Sequence, residues 1–214
     1  MVSFAYVVIM SSKKIAIFGG SFNPPHKVHK EIIDKLSSNF DEIIVVPRGP
    51  NKNKKTTYVI SNQHKIIMIK LAFEKLPKVK LDFHDLEVDV FTPTFFLDRK
   101  YKKLYPNDEL WYVFGGDSIV GGSINKAPIQ KWEYGLVMWN DLNFIIAHRD
   151  DSRANCKDIP PHSEIIDLSD TVCSGTLIRE CVQNRVRIDT LVEPEIYDYI
   201  RRHELYQCFK RMRQ

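Results

Sequence analysis

Two histidines stand three residues apart, directly after a pair of glycines and a pair of prolines. Residues 19–29 read Gly-Gly-Ser-Phe-Asn-Pro-Pro-His-Lys-Val-His and follow a short apolar run. Glycines after a strand let the backbone turn sharply and approach a ligand closely. Histidines three apart on the first turn of a helix face the same side, where unsatisfied N–H groups favour phosphate. His26 and His29 therefore predict a site that hydrogen-bonds a phosphoryl oxygen as charge develops on it.

A second segment, residues 174–179, combines two hydroxyl groups with an arginine one helical turn away. Ser174 is suited to cap a helix, and Thr176 offers a hydroxyl beside unsatisfied backbone N–H groups. Arg179 can reach back towards a triphosphate, since its planar guanidinium suits bidentate contacts. Alone, the segment would be an ordinary capped helix. Together with the histidine pair it indicates phosphate binding.

A third segment places Gly115, Gly116 and Asp117 after an apolar run. A carboxylate at the end of a parallel strand can accept hydrogen bonds from ribose hydroxyls. An aspartate after glycines can equally cap a helix, and the segment alone does not decide between the two.

Alternating strand and helix patterns determine where these three segments lie. Short apolar runs predict strands at residues 14–18, 42–46, 79–83, 110–114, 143–147 and 164–168. Helical patterns follow at residues 31–36, 61–73, 92–104, 174–184 and 194–209. This alternation predicts an α/β fold, a Rossmann-like doubly wound parallel sheet in a single domain. Ligands bind such sheets at the carboxyl ends of the strands, where all three segments stand.

Composition excludes several classes of protein. The 214 residues are 43% hydrophobic and 27% charged, as in soluble globular proteins, and the apolar run at residues 4–10 is far shorter than the ~20 residues of a membrane span. Of the net charge of +4, all is carried by the last fourteen residues, so no broad nucleic-acid-binding face is expected. The four cysteines lack metal-site spacing, which predicts reduced thiols, a cytoplasmic location and no metal held by the protein.

Residues 19–29 resemble the nucleotidylyltransferase signature, in which Gly-Gly-Thr/Ser-Phe-Asp/Asn-Pro precedes His-x-Gly-His. Val28 stands where that family usually has glycine. Residues 174–179 resemble the same superfamily's Ser-Ser/Thr-Thr-x-Ile-Arg segment, with Gly175 in place of the middle hydroxyl residue. The resemblance covers roughly residues 14–207.

Further segments resemble the bacterial-type nicotinate (nicotinamide) mononucleotide adenylyltransferases within this superfamily. Residues 115–119 are similar to their Gly-x-Asp-Ser-Leu segment, and residues 92–95 to a Ser-Tyr-Thr segment that contacts the nicotinate nucleotide. Trp132 is similar to a tryptophan that stacks on the pyridine ring.

The resemblance implies a role for each candidate residue. It implies that His26, His29 and Arg179 are catalytic. The ATP-binding residues that it implies are Gly20, Ser21, Phe22, Lys54, Gly115, Asp117, Ser174 and Thr176. The mononucleotide-binding residues that it implies are Asn23, Thr92, Thr94, Trp132 and Arg149. Lys52 and Lys55 compete with Lys54 for the phosphate contact.

The activity implied is transfer of AMP from ATP, with Mg²⁺, to nicotinate mononucleotide, giving deamido-NAD and pyrophosphate. Nicotinamide mononucleotide as acceptor stays open, as does a homo-oligomeric state. The alternatives are a pantetheine-phosphate adenylyltransferase and a non-catalytic adenine-nucleotide sensor. The domain is expected to span residues 13–214, after an N-terminal extension of residues 1–12.

Overall fold

One six-stranded parallel sheet forms the centre of the molecule. The computed structural model describes residues 12–50, 60–148, 158–169 and 171–207. The strands are β1 (Lys14–Gly20), β2 (Glu42–Pro47), β3 (Val79–Leu81), β4 (Glu109–Gly115), β5 (Asn143–His148) and β6 (Ser163–Asp167). Their order across the sheet is β3-β2-β1-β4-β5-β6, and every neighbouring pair is parallel. This is a doubly wound α/β sheet, so the predicted fold class is confirmed.

Helices connect the strands and cover both faces of the sheet. They are α1 (Lys27–Leu36), α2 (Asn62–Phe73), α3 (His84–Glu87), α4 (Thr94–Leu104), α5 (Gly135–Asp141), α6 (Gly175–Gln183) and α7 (Pro194–Arg202). Within the described ranges, no helix is long and apolar enough to cross a membrane.

The core consists of two apolar layers, one on each face of the sheet. Successive strand residues point to opposite faces, so that Ala16 and Phe18 of β1 join one layer while Ile15 and Ile17 join the other. The first layer packs against α1, α2, α6 and α7, and the second against α4 and α5. Burial on both faces explains why the central strands are almost uniformly apolar.

The two central strands separate before either of them ends. The pairing of β1 with β4 stops at Ile17 and Tyr112. Beyond that point β1 stays paired with β2 as far as Gly20, and β4 stays paired with β5 as far as Gly115. The sheet therefore opens at its carboxyl edge where the strand order reverses, which is where doubly wound sheets bind their ligands.

The last helix is shorter than the sequence pattern predicts. It ends at Arg202 rather than near residue 209. Glu204 and Tyr206 have φ angles of 49° and 64°, a left-handed conformation that a helix cannot continue through. Leu205 and Tyr206 are thereby turned back into the core. The prediction of a continuous helix was wrong because its periodicity did not show this reversal.

Candidate active site

The two histidines lie in direct contact at the start of α1. His26 is the residue that precedes the helix, and His29 is on its first turn. Their rings stack with centroids 3.6 Å apart and an interplanar angle of 24°. Beneath them, the ring of the fully buried Phe22 meets His29 edge-on at 4.8 Å. The sequence prediction that both imidazoles share one side of the helix start is confirmed.

A backbone hydrogen bond determines which nitrogen of His29 carries a proton. The N–H of His26 donates to Nδ1 of His29 at 3.2 Å. Because Nδ1 accepts this bond, the ring proton lies on Nε2. His29 is therefore oriented to donate a hydrogen bond through Nε2.

Arg179 is held against the segment that carries the histidines. Its Nη1 donates to the backbone carbonyl of Asn23 at 2.6 Å, and its Nη2 donates to Oγ1 of Thr176 at 3.0 Å. The two bonds fix the plane of the guanidinium, because they use both of its terminal nitrogens. Ser174 caps α6 by accepting from the N–H of Leu177 at 3.1 Å, which agrees with the predicted cap.

Gly175 permits this close approach. A Cβ atom at position 175 would lie 2.9 Å from the carbonyl oxygen of Asn23 and 3.2 Å from Nη1 of Arg179. The first distance is shorter than real Cβ contacts, and the neighbour is backbone. The absence of a side chain therefore leaves room for the bond between Asn23 and Arg179.

The side chain of Asn23 is held by the C-terminal segment. The hydroxyl of Tyr206 donates to Oδ1 of Asn23 at 2.6 Å. Burial raises the pKa of the Tyr206 phenol, and the positive charge of Arg179 offsets only part of this rise. The phenol thus keeps its proton, and the direction of the bond is fixed. Sequence reasoning gave Tyr206 no role in the site.

Two further contacts fasten α1 to the segments that precede α6 and α7. The carboxylate of Glu31 accepts from the N–H of Ser169 at 2.6 Å and from its hydroxyl at 2.7 Å. The N–H of Lys27 donates to the carbonyl of Leu191 at 3.0 Å. We call the group formed by Asn23, His26, His29, Thr176 and Arg179 the phosphate side, since the last four predict phosphate binding and Asn23, predicted to contact the mononucleotide, holds Arg179.

The glycines at the ends of the two central strands have different surroundings. A Cβ at Gly20 would lie 2.9 Å from the ring of Phe22, so glycine makes room for that ring. Beyond Gly115, Asp117 lies within a short 3₁₀ turn rather than at its cap, and its carboxylate is exposed beside Gly115. The alternative that Asp117 caps a helix is therefore wrong. Ser21 is exposed at the same edge.

An aromatic group lies on the other side of the opening, around the end of β4 and the start of α4. Phe95 stacks on Tyr134 with centroids 4.1 Å apart. Trp132 lies 6.1 Å from Phe114, the penultimate residue of β4, and 42% of Trp132 is exposed. We call these four residues the aromatic side. An exposed indole beside a binding edge is suited to stack on a flat ring.

Thr92 and Thr94 differ in their surroundings: Thr92 bonds a buried carboxylate, and Thr94 begins α4. The N–H and hydroxyl of Thr92 donate to the two carboxylate oxygens of the buried Asp85, at 2.8 and 2.7 Å. Thr92 thereby fixes the turn that leads into α4. Thr94 is the first residue of α4, next to Phe95 of the aromatic side. Their contacts with a nucleotide stay predictions.

Several predicted residues lie outside the described ranges. These are Lys54 with its competitors Lys52 and Lys55, Arg149, and residues 1–11 of the predicted N-terminal extension. In the ranges that are described, no three His, Cys, Asp or Glu side chains lie close enough together to hold a metal ion.

Comparison with known proteins agrees with this geometry. A family model described as cytidylyltransferase-like matches residues 17–181. The nicotinate-nucleotide adenylyltransferase of Bacillus subtilis (strain 168) is 28% identical over 197 residues, which cover 91% of this chain and 99% of that protein. A probable nicotinate-nucleotide adenylyltransferase of Carboxydothermus hydrogenoformans is 27% identical over 214 residues, which cover 92% of this chain and all of that protein.

Among solved structures, the Plasmodium falciparum nicotinic acid mononucleotide adenylyltransferase complexed with NaAD superposes with a TM-score of 0.71 at 24% identity. The match covers 91% of this chain and 97% of that one, and it shows that the two share a fold. The resemblance predicted from the sequence is confirmed by the curated relatives.

We predict that Gly175→Ala lowers the free energy of unfolding by about 1 kcal/mol or more, because the new Cβ must displace the Asn23 carbonyl. Alanine would otherwise favour the helix. Urea unfolding followed by tryptophan fluorescence measures the change. Gly19→Ala is the matched control, since a Cβ there would meet nothing within 4 Å. Equal stability of Gly175→Ala and the unaltered protein would contradict the close approach.

Proposed function

The chain belongs to the cytidylyltransferase-like family, and we propose that it transfers AMP from ATP to nicotinate mononucleotide in NAD biosynthesis. The observation that carries the proposal is the pairing of a phosphate side with an aromatic side across the opening between β1 and β4. The phosphate side is suited to a nucleotide triphosphate, and the exposed indole of the aromatic side is suited to the flat base of a second nucleotide. The names of the curated relatives support the same activity.

The reaction forms one phosphorus–oxygen bond and breaks another. A phosphate oxygen of the mononucleotide attacks the α-phosphorus of ATP in line, and the bond from that phosphorus to the bridging oxygen of pyrophosphate breaks. The products are deamido-NAD and pyrophosphate. The attacking oxygen is already anionic at neutral pH, so the protein needs no strong general base. Catalysis then consists of positioning and of stabilising charge.

We infer that Mg²⁺ enters with ATP as part of the substrate. The described residues contain no carboxylate cluster for a resident ion. The residues that border the opening would therefore leave the ion to phosphate oxygens and water, which is how proteins commonly bind Mg²⁺ together with nucleotides.

The phosphate side supplies the hydrogen-bond donors. His29 donates from Nε2, the nitrogen left protonated by the bond from His26. Its ring stacks on that of His26, which is only 7% exposed, so the two imidazoles are held together at the start of α1. Arg179 adds a permanent positive charge, pre-oriented by Asn23. Donors that are already aligned need no reorganisation as charge develops on the phosphoryl oxygens.

The aromatic side binds the acceptor nucleotide in this proposal. Trp132 stacks on the pyridine ring, and Thr94 hydrogen-bonds the same nucleotide. Asp117, exposed beyond Gly115, accepts hydrogen bonds from the ribose of ATP. We propose nicotinate mononucleotide, rather than nicotinamide mononucleotide, as the preferred acceptor because the relatives are named for the nicotinate form. A cytoplasmic location and a homo-oligomeric state stay predictions.

The test is pyrophosphate release with MgATP and each of three acceptors: nicotinate mononucleotide, nicotinamide mononucleotide and phosphopantetheine. We expect rapid release with the first, slower release with the second and none with the third. Release with phosphopantetheine alone would replace the proposal with a pantetheine-phosphate adenylyltransferase. ATP binding by calorimetry without release from any acceptor would indicate a nucleotide sensor.

We predict that His29→Ala lowers kcat by about 10²-fold, the scale for one lost transition-state donor. The measurement is steady-state pyrophosphate release at saturating substrates. His162→Ala is the control, because His162 is exposed and directly precedes β6. It therefore lies at the amino edge of the parallel sheet, opposite the carboxyl edge where the site is. A folded His29→Ala protein with unchanged kcat would remove His29 from the mechanism.

Removal of the Trp132 indole should weaken binding of the acceptor mononucleotide and leave binding of ATP unchanged. We predict that Trp132→Ala raises KM for the mononucleotide about tenfold, within the ~1–3 kcal/mol that stacking of a base on an aromatic side chain contributes, and leaves KM for ATP unchanged. Trp132→Phe retains a stacking surface and should recover most of the loss. A rise in KM for ATP instead would mean that Trp132 contacts ATP, and would contradict its assignment to the mononucleotide.

A further inference from the structure

We propose that Tyr206 is a positioning residue for the phosphate side, acting on Arg179 through Asn23. The hydroxyl of Tyr206 holds the Asn23 side chain at 2.6 Å, and the Asn23 carbonyl holds Nη1 of Arg179 at 2.6 Å. The proposal rests on the proposed function, since it assigns a task to Arg179 in that reaction.

Tyr206 is itself firmly held. It is buried in the layer that packs against α1, α6 and α7, and its left-handed φ of 64° directs the ring away from the course of the preceding helix. The preceding residue, Leu205, is also buried, and its N–H donates to the carbonyl of Ile200 at 3.0 Å. A hydroxyl carried on such a segment has little freedom to move, which is what a positioning group requires.

Asn23 transmits this constraint because its two oxygens face two different partners. Its side-chain oxygen accepts from Tyr206, and its main-chain oxygen accepts from Arg179. Gly175 lies against the same carbonyl from the α6 side. Without the Tyr206 hydroxyl, the Asn23 side chain loses a buried partner, and the carbonyl that orients the guanidinium is held less precisely. A misplacement of a few tenths of an ångström at a charge-stabilising group weakens its action on the transition state.

The first measurement compares Tyr206→Phe with the unaltered protein. We expect kcat/KM for MgATP to fall about fivefold, the effect of one lost hydrogen bond, while KM for the mononucleotide stays unchanged. Tyr105→Phe is the matched control: it removes a tyrosine hydroxyl that donates to Glu42 at 3.0 Å and accepts from Lys80 at 2.8 Å, at the amino edge of the sheet and away from the site. Unchanged kcat/KM for MgATP in Tyr206→Phe would overturn the proposal, as would an equal loss in both variants.

The second measurement separates positioning from a purely structural role. In an Arg179→Lys background, which cannot make both guanidinium bonds, Tyr206→Phe should produce no further loss of kcat/KM for MgATP. A full fivefold loss in that background would mean that Tyr206 does not act through Arg179, and would overturn the proposal. Urea unfolding of all variants confirms that each is folded under assay conditions.

Failure of the proposed function would be distinguishable from failure of this inference. If the unaltered protein released no pyrophosphate with any acceptor, the same variants would be compared by calorimetric binding of MgATP. A severalfold weaker binding by Tyr206→Phe, absent in the Arg179→Lys background, would still support positioning of Arg179. Equal binding by Tyr206→Phe and the unaltered protein would overturn it.

Discussion

The separation of β1 from β4 beyond Ile17 and Tyr112 is the constraint on which the rest of the site depends. β1 stays paired with β2 to its end, and β4 stays paired with β5 to its end. The opening therefore leaves backbone groups unpaired within the sheet on only one side of each strand. The segments that follow Gly20 and Gly115 consequently diverge, one into α1 and the other into a 3₁₀ turn. Groups from the two halves of the doubly wound fold thus border one opening, with the phosphate side around the start of α1 and the aromatic side around the end of β4 and the start of α4.

The phosphate side is assembled from parts that are distant in sequence. Asn23 is bonded to Arg179 across 156 positions and to Tyr206 across 183. These contacts join the segment after β1 to α6 and to the segment after α7. Arg179 is therefore oriented both by Thr176 of its own helix and by Asn23 from the segment after β1, and a donor that is oriented before substrate arrives is the kind that stabilises developing charge most effectively.

The sequence was sufficient for the parts of the molecule governed by local pattern. Apolar runs located all six strands, and the spacing of His26 and His29 predicted their shared orientation, because strand burial and helical periodicity are properties of neighbouring residues. The role of Tyr206 could not be predicted, since its bond to Asn23 requires a left-handed turn after α7 that the continuous helical pattern concealed. The short helix α5 was also missed, because its seven residues follow a tyrosine, Tyr134, in a left-handed conformation that no pattern marks.

Gly175 and Tyr206 can be understood as two parts of one arrangement around Asn23. The family resemblance leads one to expect a hydroxyl residue at position 175, and its replacement removes one possible donor to the triphosphate. The same replacement lets the Asn23 carbonyl come within bonding distance of Arg179, while Tyr206 holds the Asn23 side chain from the other direction. Glycine at this position thus leaves Arg179 in contact with a backbone carbonyl that a Cβ would displace. In the proposed reaction the nucleophile is already anionic, so precise placement of the positive charge of Arg179 is the main task left to this part of the protein.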